Sequence, residues 1–516
     1  MFFLNYQNQS LLDLKAAQSQ LATLAKPKVE FLSAAITEFQ ENPIRKDMLK
    51  AQDYYALKHD ITAARRTYID RYGVRKESTS LTNSKLVHPF FRKQVKQKVN
   101  YLLSKEFSIT SEDQVFVEQI SMFLEDRTFH RFLKSIATHS IINGLAWIQV
   151  YYDEMGELQF KRIPTEEVIP FWKDIDHTEL EGVIRTYQIM RYAADGSKEL
   201  ITKVEYHTTQ GVWYFIHDKN QLKPDPDHAA LEGHFNVRQP AVDDLGRPRL
   251  NPDGSPEEVS IAATWEQLPF IPFKYNEDEV SLLRMIKSLM DDYDAVSSST
   301  SNVIQDTPDS IKVVRNYDGT SKEEFVENLN TFRTAFVSGD GDVTGLDTHM
   351  DIAAIEAHLT RLRKDIYEAG VSVDTQTEDL GNASGVALKF RYADLDMDMA
   401  GMAAEFTASL ERLMWFVKTD IVNKGGPNFM DTEFEIQFNM GGIVDEQGII
   451  ANAKASMGII SDETIRANHP WVLDTEKETK ALKKQKEAEM QEQLDFMAQQ
   501  SQTAFNNSGD PSGSGE

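Results

Sequence analysis

The residues best placed to do chemistry stand in "DTQTEDLGNASGVALKFRY", positions 374–392. A Gly-Asn-Ala-Ser-Gly loop lies there between two long amphipathic segments, and Leu380 is its one hydrophobic anchor. Three roles would use such a loop: a phosphate cradle, a nucleophile turn, or a mobile finger lining something large. A phosphate cradle of the P-loop kind needs Gly-x-x-x-x-Gly-Lys-Ser/Thr. Gly381 and Gly385 are too close together for it, Val386 stands where the lysine belongs, and the acids Asp374, Glu378 and Asp379 precede the loop. A nucleophile elbow on Ser384 would need glycine at 382 and 386, which are Asn382 and Val386. Neither of the first two patterns is met, so the loop carries no recognisable catalytic motif.

Metal chemistry fares no better. In "DGDVTGLDTHMD", Asp340, Asp342, Thr344 and Gly345 fit positions 1, 3, 5 and 6 of a calcium loop, with Asp351 at position 12. However, Asp347 fills an aliphatic position and the segment before it reads as a strand, so a tight polar turn is the expectation. His228 and His234, with Asp225, Asp227 and Glu232, have metal-ligand chemistry but stand in a proline-rich stretch where solvated side chains are expected. There is no His-Glu-x-x-His pair and no cysteine, which excludes disulfides and thiolate sites. Carboxylate pairs are abundant, as an acidic chain supplies by chance. No cofactor, metal or catalytic constellation is expected, and the protein reads as no enzyme.

A hydrophobic content of 41% over 516 residues marks a folded chain with room for two to four domains. No apolar run approaches the ~18 residues of a membrane helix, and "MFFLNYQNQS" has no signal-peptide pattern. A soluble protein made in a cytoplasm is expected. The net charge of -26 argues against a tight DNA binder, which needs Lys and Arg to neutralise phosphates. The charge is uneven, because Ile61 to Lys105 carries eleven Lys/Arg and two acids.

Several elements must position the loop. Residues 88–104 read as a helix with Phe91, Val95, Val99 and Leu102 on one stripe and Arg92, Lys93 and Lys96 on the other face. That basic face is either solvated or a subunit or nucleic-acid contact. Strand patterns follow at 145–152, 156–163, 182–190 and 211–216. Residues 218–260 hold six of the 17 prolines and read as a surface excursion carrying little of the core. A helix at about 280–298 and another at 352–369 flank a strand–helix–strand insert ("SIKVVRN", "KEEFVENLNTF", "TAFVSG"), as an antiparallel stalk with the insert at its tip. A helix from about 385 to 424 would span roughly 60 Å, with a kink near Gly401 suggested by Asp394, Asp396 and Asp398. "EFEIQFN" is a strand, and Ser461 caps a later helix.

This order of parts resembles the portal proteins of tailed double-stranded DNA bacteriophages, in particular those of siphophages infecting Gram-positive bacteria. The resemblance is carried by "HDITAARRTYIDRYG", "TNSKLVHPFFRKQVKQKVNYLLSKEFSIT", "LPFIPFKYNEDEVSLLRMIKSLMDDYDAVSSSTSNVIQD", "VVRNYDG", "SGDGDV", "DLGNASGVALKFRYADLDM" and "GIISDETIRANHPWVLDTEKE", over roughly residues 50 to 480. It implies an α+β, mainly helical fold with wing, stem, clip and crown, assembling into a ring with a central channel. Residues 1–45 would be an N-terminal arm, 46–275 the wing, 276–302 and 351–372 the stem helices, and 303–350 the clip. Residues 373–386 would be the tunnel loop, 387–440 the spine helix and strand of the wing, 441–500 the crown, and 501–516 a disordered tail.

The resemblance also implies function. Such proteins form a ring, usually of twelve copies, at one capsid vertex; a terminase motor pumps DNA in through it, and the DNA later leaves by it. The implied partners are further copies of the chain, double-stranded DNA without sequence specificity, the terminase large subunit, a head–tail connector, scaffold and the major capsid protein, with no membrane. The setting is the virion, after assembly in the host cytoplasm. Asp374, Thr375, Gln376, Glu378, Asp379, Gly381, Asn382, Ser384 and Gly385 would face DNA, the two glycines permitting hinge conformations and the acids keeping the grip weak. Glu323, Phe325 and Leu329 would meet clip partners, unless the two apolar residues are clip core. Arg92, Lys93 and Lys96 would lie at a subunit interface or toward DNA. An acidic phosphoester- or nucleotide-processing enzyme and a non-viral helical scaffold protein are the competing readings.

Overall fold

A computed structural model describes residues 29–69, 72–78, 81–124, 127–192, 196–218, 221–229, 231–240, 251, 257–306, 312–314, 334–335, 343–345, 351–376, 385–441, 446–472 and 475–506. The chain falls into two compact units, Met1–Asp374 with Asp394–Gly441, and Thr375–Ala393 with Gly442–Glu516. The architecture is mixed helix and sheet.

In the first unit, α1 (Val29–Glu41) and α2 (Pro43–Tyr55) are separated by one residue. Asn42 caps α2 by accepting from the Ile44 N–H at 2.7 Å, and Pro43 supplies a preset φ at the first helical position. The hairpin strands β1 (Thr67–Ile69) and β2 (Arg75–Glu77) follow, then α3 (Phe90–Leu102), β3 (Ser108–Thr110), α4 (Gln114–Leu124) and α5 (Arg127–Asn143). Next come β4 (Leu145–Tyr152), β5 (Leu158–Ile163), β6 (Val168–Trp172), β7 (Leu180–Tyr192), β8 (Lys198–Thr208), β9 (Gly211–Asp218) and β10 (Gln221–Pro224). Strands β6 to β10 form one antiparallel meander. Helix α1 seats Leu32, Ala35, Ile36 and Phe39, spaced to one helical face, against Ile169, Phe171, Ile184, Val204 and Phe215 of that sheet. Each large side chain so buried contributes about 1.5–3 kcal/mol.

The proline-rich stretch carries more structure than expected. Leu222 of β10 is 6% exposed and packs in the same core, and β11 (Phe235–Pro240) pairs with β12 (Glu258–Ala263). Strand β8 is an addition to the strands expected; its first three residues are exposed and charged in part, which hides the alternation. Strand β13 (Phe270–Lys274) joins β4 and β5 in a three-stranded sheet, where Trp147 stacks on Trp172 at 5.9 Å.

Helices α6 (Leu282–Asp306) and α7 (Ile352–Ala369) pack together, with His358 3.0 Å from Asp292. Asp351 caps α7 by accepting from the Ala354 N–H. Between them, β14 (Lys312–Val314) pairs in parallel with β15 (Thr334–Ala335), as a strand–helix–strand insert requires, and antiparallel with a further strand, β16 (Val343–Gly345). Thr344 and Gly345 are thus ladder residues, while Asp340, Asp342 and Asp347 lie outside the described residues. The helix expected at "KEEFVENLNTF" lies outside them too.

Helix α8 (Gly385–Asn423) is 39 residues long and continuous across Gly401. From Asp394 onward it buries Leu395, Met399, Met402, Phe406, Leu410 and Leu413. Gly401 itself is exposed, and a Cβ there would meet nothing within 4 Å. Gly401→Ala is therefore expected to raise stability by about 0.5–1 kcal/mol, read as a higher urea midpoint; a lower midpoint would show that this position needs glycine's freedom. Strand β17 (Glu435–Gln437) then pairs with β3.

The second unit holds α9 (Glu446–Ala455), α10 (Asp462–Ala467) and α11 (Thr475–Asn506). Ser461 caps α10, accepting from Thr464 N–H at 3.2 Å. Helix α11 extends past residue 500, where the tail was expected to begin. Among the described residues no helix is long and apolar enough to cross a membrane.

Candidate functional site: the root at residues 371–374

Helix α3 buries the expected stripe of Phe91, Val95, Val99 and Leu102, and with it Gln94 and Lys98. These two polar side chains face the end of α7 and the chain leaving it. Gln94 donates to the Ile366 carbonyl at 3.1 Å. One turn on, Gln97 donates to the Val373 carbonyl at 3.1 Å and accepts from the Val373 N–H at 3.2 Å. Lys98 Nζ donates to the Val371 carbonyl at 2.9 Å and to Asp398 Oδ2, on α8, at 2.6 Å. Tyr275 donates to the same carboxylate oxygen at 3.2 Å, and Tyr101 donates to Asp396.

Backbone geometry explains why so many groups converge there. After Gly370 ends α7, Val371 sits at φ 45°, a left-handed conformation that a β-branched residue rarely adopts. Its carbonyl is fixed by Lys98, whose side chain is 0% exposed against 23% for Asp398. Burial pulls the Lys98 ammonium below the ordinary lysine pKa and Asp398 pushes back. Burial, then Asp398, raises Tyr275 well above the ordinary phenol pKa, keeping it a donor. The last residue of the root, Asp374, takes a bidentate pair of bonds from Arg363, 2.6 Å from Nε and 2.9 Å from Nη2. That hydrogen-bonded pair lifts the Arg363 pKa further.

A second constellation braces α6. The extended segment 84–88 lies along this helix, its alternate N–H groups bonding side chains one helical turn apart. Ser84 N–H bonds Asn302 Oδ1 at 2.6 Å, Leu86 N–H bonds Ser298 Oγ at 3.0 Å, and His88 N–H bonds Asp294 Oδ1 at 3.0 Å. Two extended residues advance about 6.6 Å and four helical residues about 6.0 Å, so the two repeats keep step. At the last rung, His59 Nδ1 is 2.6 Å and His88 Nδ1 2.7 Å from the Asp294 carboxylate. Burial pushes that carboxyl up, but the bonds from the two histidines outweigh it and leave the pKa below the usual range.

The residues singled out from sequence are distributed as follows. Asp374 is held at the root, and Thr375 and Gln376 are exposed turn residues. Glu378, Asp379, Gly381, Asn382 and Ser384 lie outside the described residues, and Gly385 opens α8. Glu323, Phe325 and Leu329 also lie outside them. Arg92 sits 5.4 Å over the Tyr55 ring, and Lys93 lies 5.2 Å over Tyr367 and 4.0 Å from Asp374 Oδ1. Lys96 is exposed.

His228 stacks on Tyr214 and lies 3.2 Å from Glu232, whereas His234 accepts from the Trp265 N–H. Asp225 and Asp227 pair with Lys203. No group of three or more potential ligands able to hold a metal occurs among the described residues.

Gln94, Gln97, Lys98 and Arg363 carry no motif in the sequence, and Asp396 and Asp398 stand out there only by their spacing near Gly401. Lys98 did leave a signal, a lysine completing the 91, 95, 98, 102 spacing of the apolar stripe.

Comparison with known proteins adds to this geometry. Residues 39–492 match the family model described as phage portal protein, SPP1 Gp6-like. The portal protein of Bacillus phage SPP1 is 28% identical over 477 residues, covering 91% of this chain and 89% of the relative. The portal protein of Clostridium phage phiCD119 is 28% identical over 459 residues, covering 86% of this chain and 93% of the relative. Among solved structures, a chain in the neck of an empty GTA particle computed with C6 symmetry is similar at TM-score 0.39 and 11% identity, covering 74% of this chain and 89% of that one. A chain in the neck of the native GTA particle computed with C12 symmetry gives TM-score 0.37 and 10% identity over the same shares.

Proposed function

This chain belongs to the SPP1 Gp6-like family of phage portal proteins, and from that premise we propose that its copies close into a ring, of twelve by the family's habit, around a channel for double-stranded DNA. In this reading residues 46–275 form the wing, 276–302 and 351–372 the stem, 303–350 the clip, 387–440 the spine of the wing and 441–500 the crown. The loop at 373–386 is the channel finger, with Asp374 at its base and Thr375, Gln376, Glu378, Asp379, Gly381, Asn382, Ser384 and Gly385 along it. The clip, through Glu323, Phe325 and Leu329, docks the terminase large subunit and later a head–tail connector. Scaffold and major capsid protein surround the ring in the virion, and the protein itself catalyses nothing.

The observation that supports this reading is the clamp on residues 371–374. Lys98, Gln97 and Arg363 hold the departing chain at three successive places, so the loop starts from a fixed origin. With Asp374 paired to Arg363, Glu378 and Asp379 are the acids left to repel phosphate, which suits a surface that must release a moving duplex. Of the three basic residues on α3, Lys96 is the one we assign to a subunit or DNA contact, because Arg92 and Lys93 already face partners inside the chain.

Deleting Asn382 to Gly385 tests the assignment. Ring formation, followed by native mass spectrometry with negative-stain images, is expected to survive, while DNA packaging or retention in particles is lost. Normal packaging by the deletion variant would remove the loop from the channel. A wild-type dimer or tetramer without a central hole would end the ring reading itself.

A further inference from the structure

We propose that the β1–β2 hairpin of one copy docks into an acidic cleft of the neighbouring copy, which makes it the electrostatic key of the assembly; this rests on the ring reading above. The hairpin is a poor structure by itself. Its strands pair over three residues each and join no third strand among the described residues. An isolated two-stranded hairpin of this size is marginal in water. At its turn, Tyr72 is 73% and Val74 53% exposed, beside exposed Arg75 and Lys76. Residues 65–77 carry five Lys/Arg and two acids, in a chain of net charge -26. An apolar tip flanked by cations fits a pocket with an apolar floor and an acidic rim.

The same unit holds one. A cleft of about 1420 Å³ opens between the α1–α2 corner, the 175–178 turn, the 277–281 turn and α8. Eight Asp/Glu and three Lys/Arg line it. Glu41, Asp176, Glu277 and Asp278 are exposed on it, and Ile175 and Met285, 53% and 43% exposed, give it apolar surface. In this fold Tyr72 and Val74 stay solvent-exposed, so the occupant we assign to the cleft is the hairpin of a second copy. A head-to-tail ring supplies that arrangement, since each copy then presents its hairpin to one neighbour and its cleft to the other.

Arg65→Glu with Arg75→Glu places like charges in every interface. Ring yield by native mass spectrometry is expected to fall about tenfold or more, since opposing like charges cost more than 1.4 kcal/mol, with circular dichroism unchanged. Glu277→Lys with Asp278→Lys is expected to do the same, and a chain carrying all four changes to recover most of the yield. Because the chain has no cysteine, Tyr72→Cys with Ile175→Cys offers a clean second measurement. Oxidised rings of that variant are expected to run as a ladder of cross-linked copies on denaturing gels, and neither single cysteine should.

Unchanged ring yield on charge reversal, or no ladder from oxidised double-cysteine rings, overturns the docking while leaving the ring intact. Rings that form normally from the Arg65→Glu, Arg75→Glu chain but fail to retain DNA would assign the hairpin to nucleic acid instead, and also overturn it. Wild-type protein that forms no closed ring, even with scaffold, takes the ring reading and this proposal down together.

Discussion

Replacing Lys98 by Met is expected to cost about 3 kcal/mol of stability and to abolish DNA retention without preventing the chain from folding. The cost comes from what is left behind rather than from the lysine itself. Removing one partner of a buried pair leaves an uncompensated charge, typically a loss of 3–5 kcal/mol. Asp398 keeps 23% exposure and the Tyr275 hydroxyl, so the low end applies. The Val371 carbonyl loses its donor as well, and Val371 is the residue held at φ 45°.

Replacing both partners is a different matter. A Lys98→Met, Asp398→Leu chain has no orphaned charge and is expected to recover most of the loss. DNA retention should stay impaired in it, because the loop root is still unclamped. Urea unfolding followed by tryptophan fluorescence, with packaged DNA assayed in parallel, separates these outcomes. If Lys98→Met unfolds within about 1 kcal/mol of wild type, the pair contributes far less than a buried pair should, and the clamp is not what fixes the root.

Asp294→Ala is the second large effect, at about 3–5 kcal/mol. One carboxylate accepts from two imidazoles and a backbone amide in a site where its own side chain is 1% exposed. Its folded pKa lies below the usual carboxylate range, which fixes the sign of the pH dependence. The stabilisation is fully present above the unfolded value of about 3.9 and is lost as pH falls through the lower folded value. The variant should therefore be weakened at neutral pH and should lose part of the wild type's acid-limb slope. Faster hydrogen exchange at Leu86 and His88 is expected with it. Unaltered exchange at those amides would mean that the segment is held by something other than α6.

Much of this was legible from the chain, for reasons that differ by element. The stripe at 91, 95, 99 and 102 declared α3 because burial at helical spacing leaves a periodic mark, and every member is buried. Strands β4 and β9 were readable as β-branched and aromatic runs. Strand β8 was not, because its three exposed leading residues, Lys198, Glu199 and Leu200, break the alternation.

The root of the loop was half legible. Its acids and glycines are plain in the sequence, yet the groups holding it come from three helices far apart in sequence, and pairings such as Lys98 with Asp398 leave no local pattern. Asp396 and Asp398 are conspicuous in the sequence for their spacing near Gly401, but nothing there says that they accept from Tyr101 and Lys98. Nor does any sequence rule announce that an extended segment will keep step with a helix.

That matched spacing has a mechanical meaning. The next position toward the N-terminus of α6, one turn beyond Asp294, is Met290, which is 0% exposed and offers an amide only a weakly accepting thioether. Slipping the segment by one rung in that direction would strand the His88 N–H against a thioether, so the register is closed on that side. The contact is a detent with a stop at one end. A load that drives the segment toward that end cannot be dissipated by sliding; it is handed from one element to the other, and the pair moves as a keyed shaft moves with its sleeve.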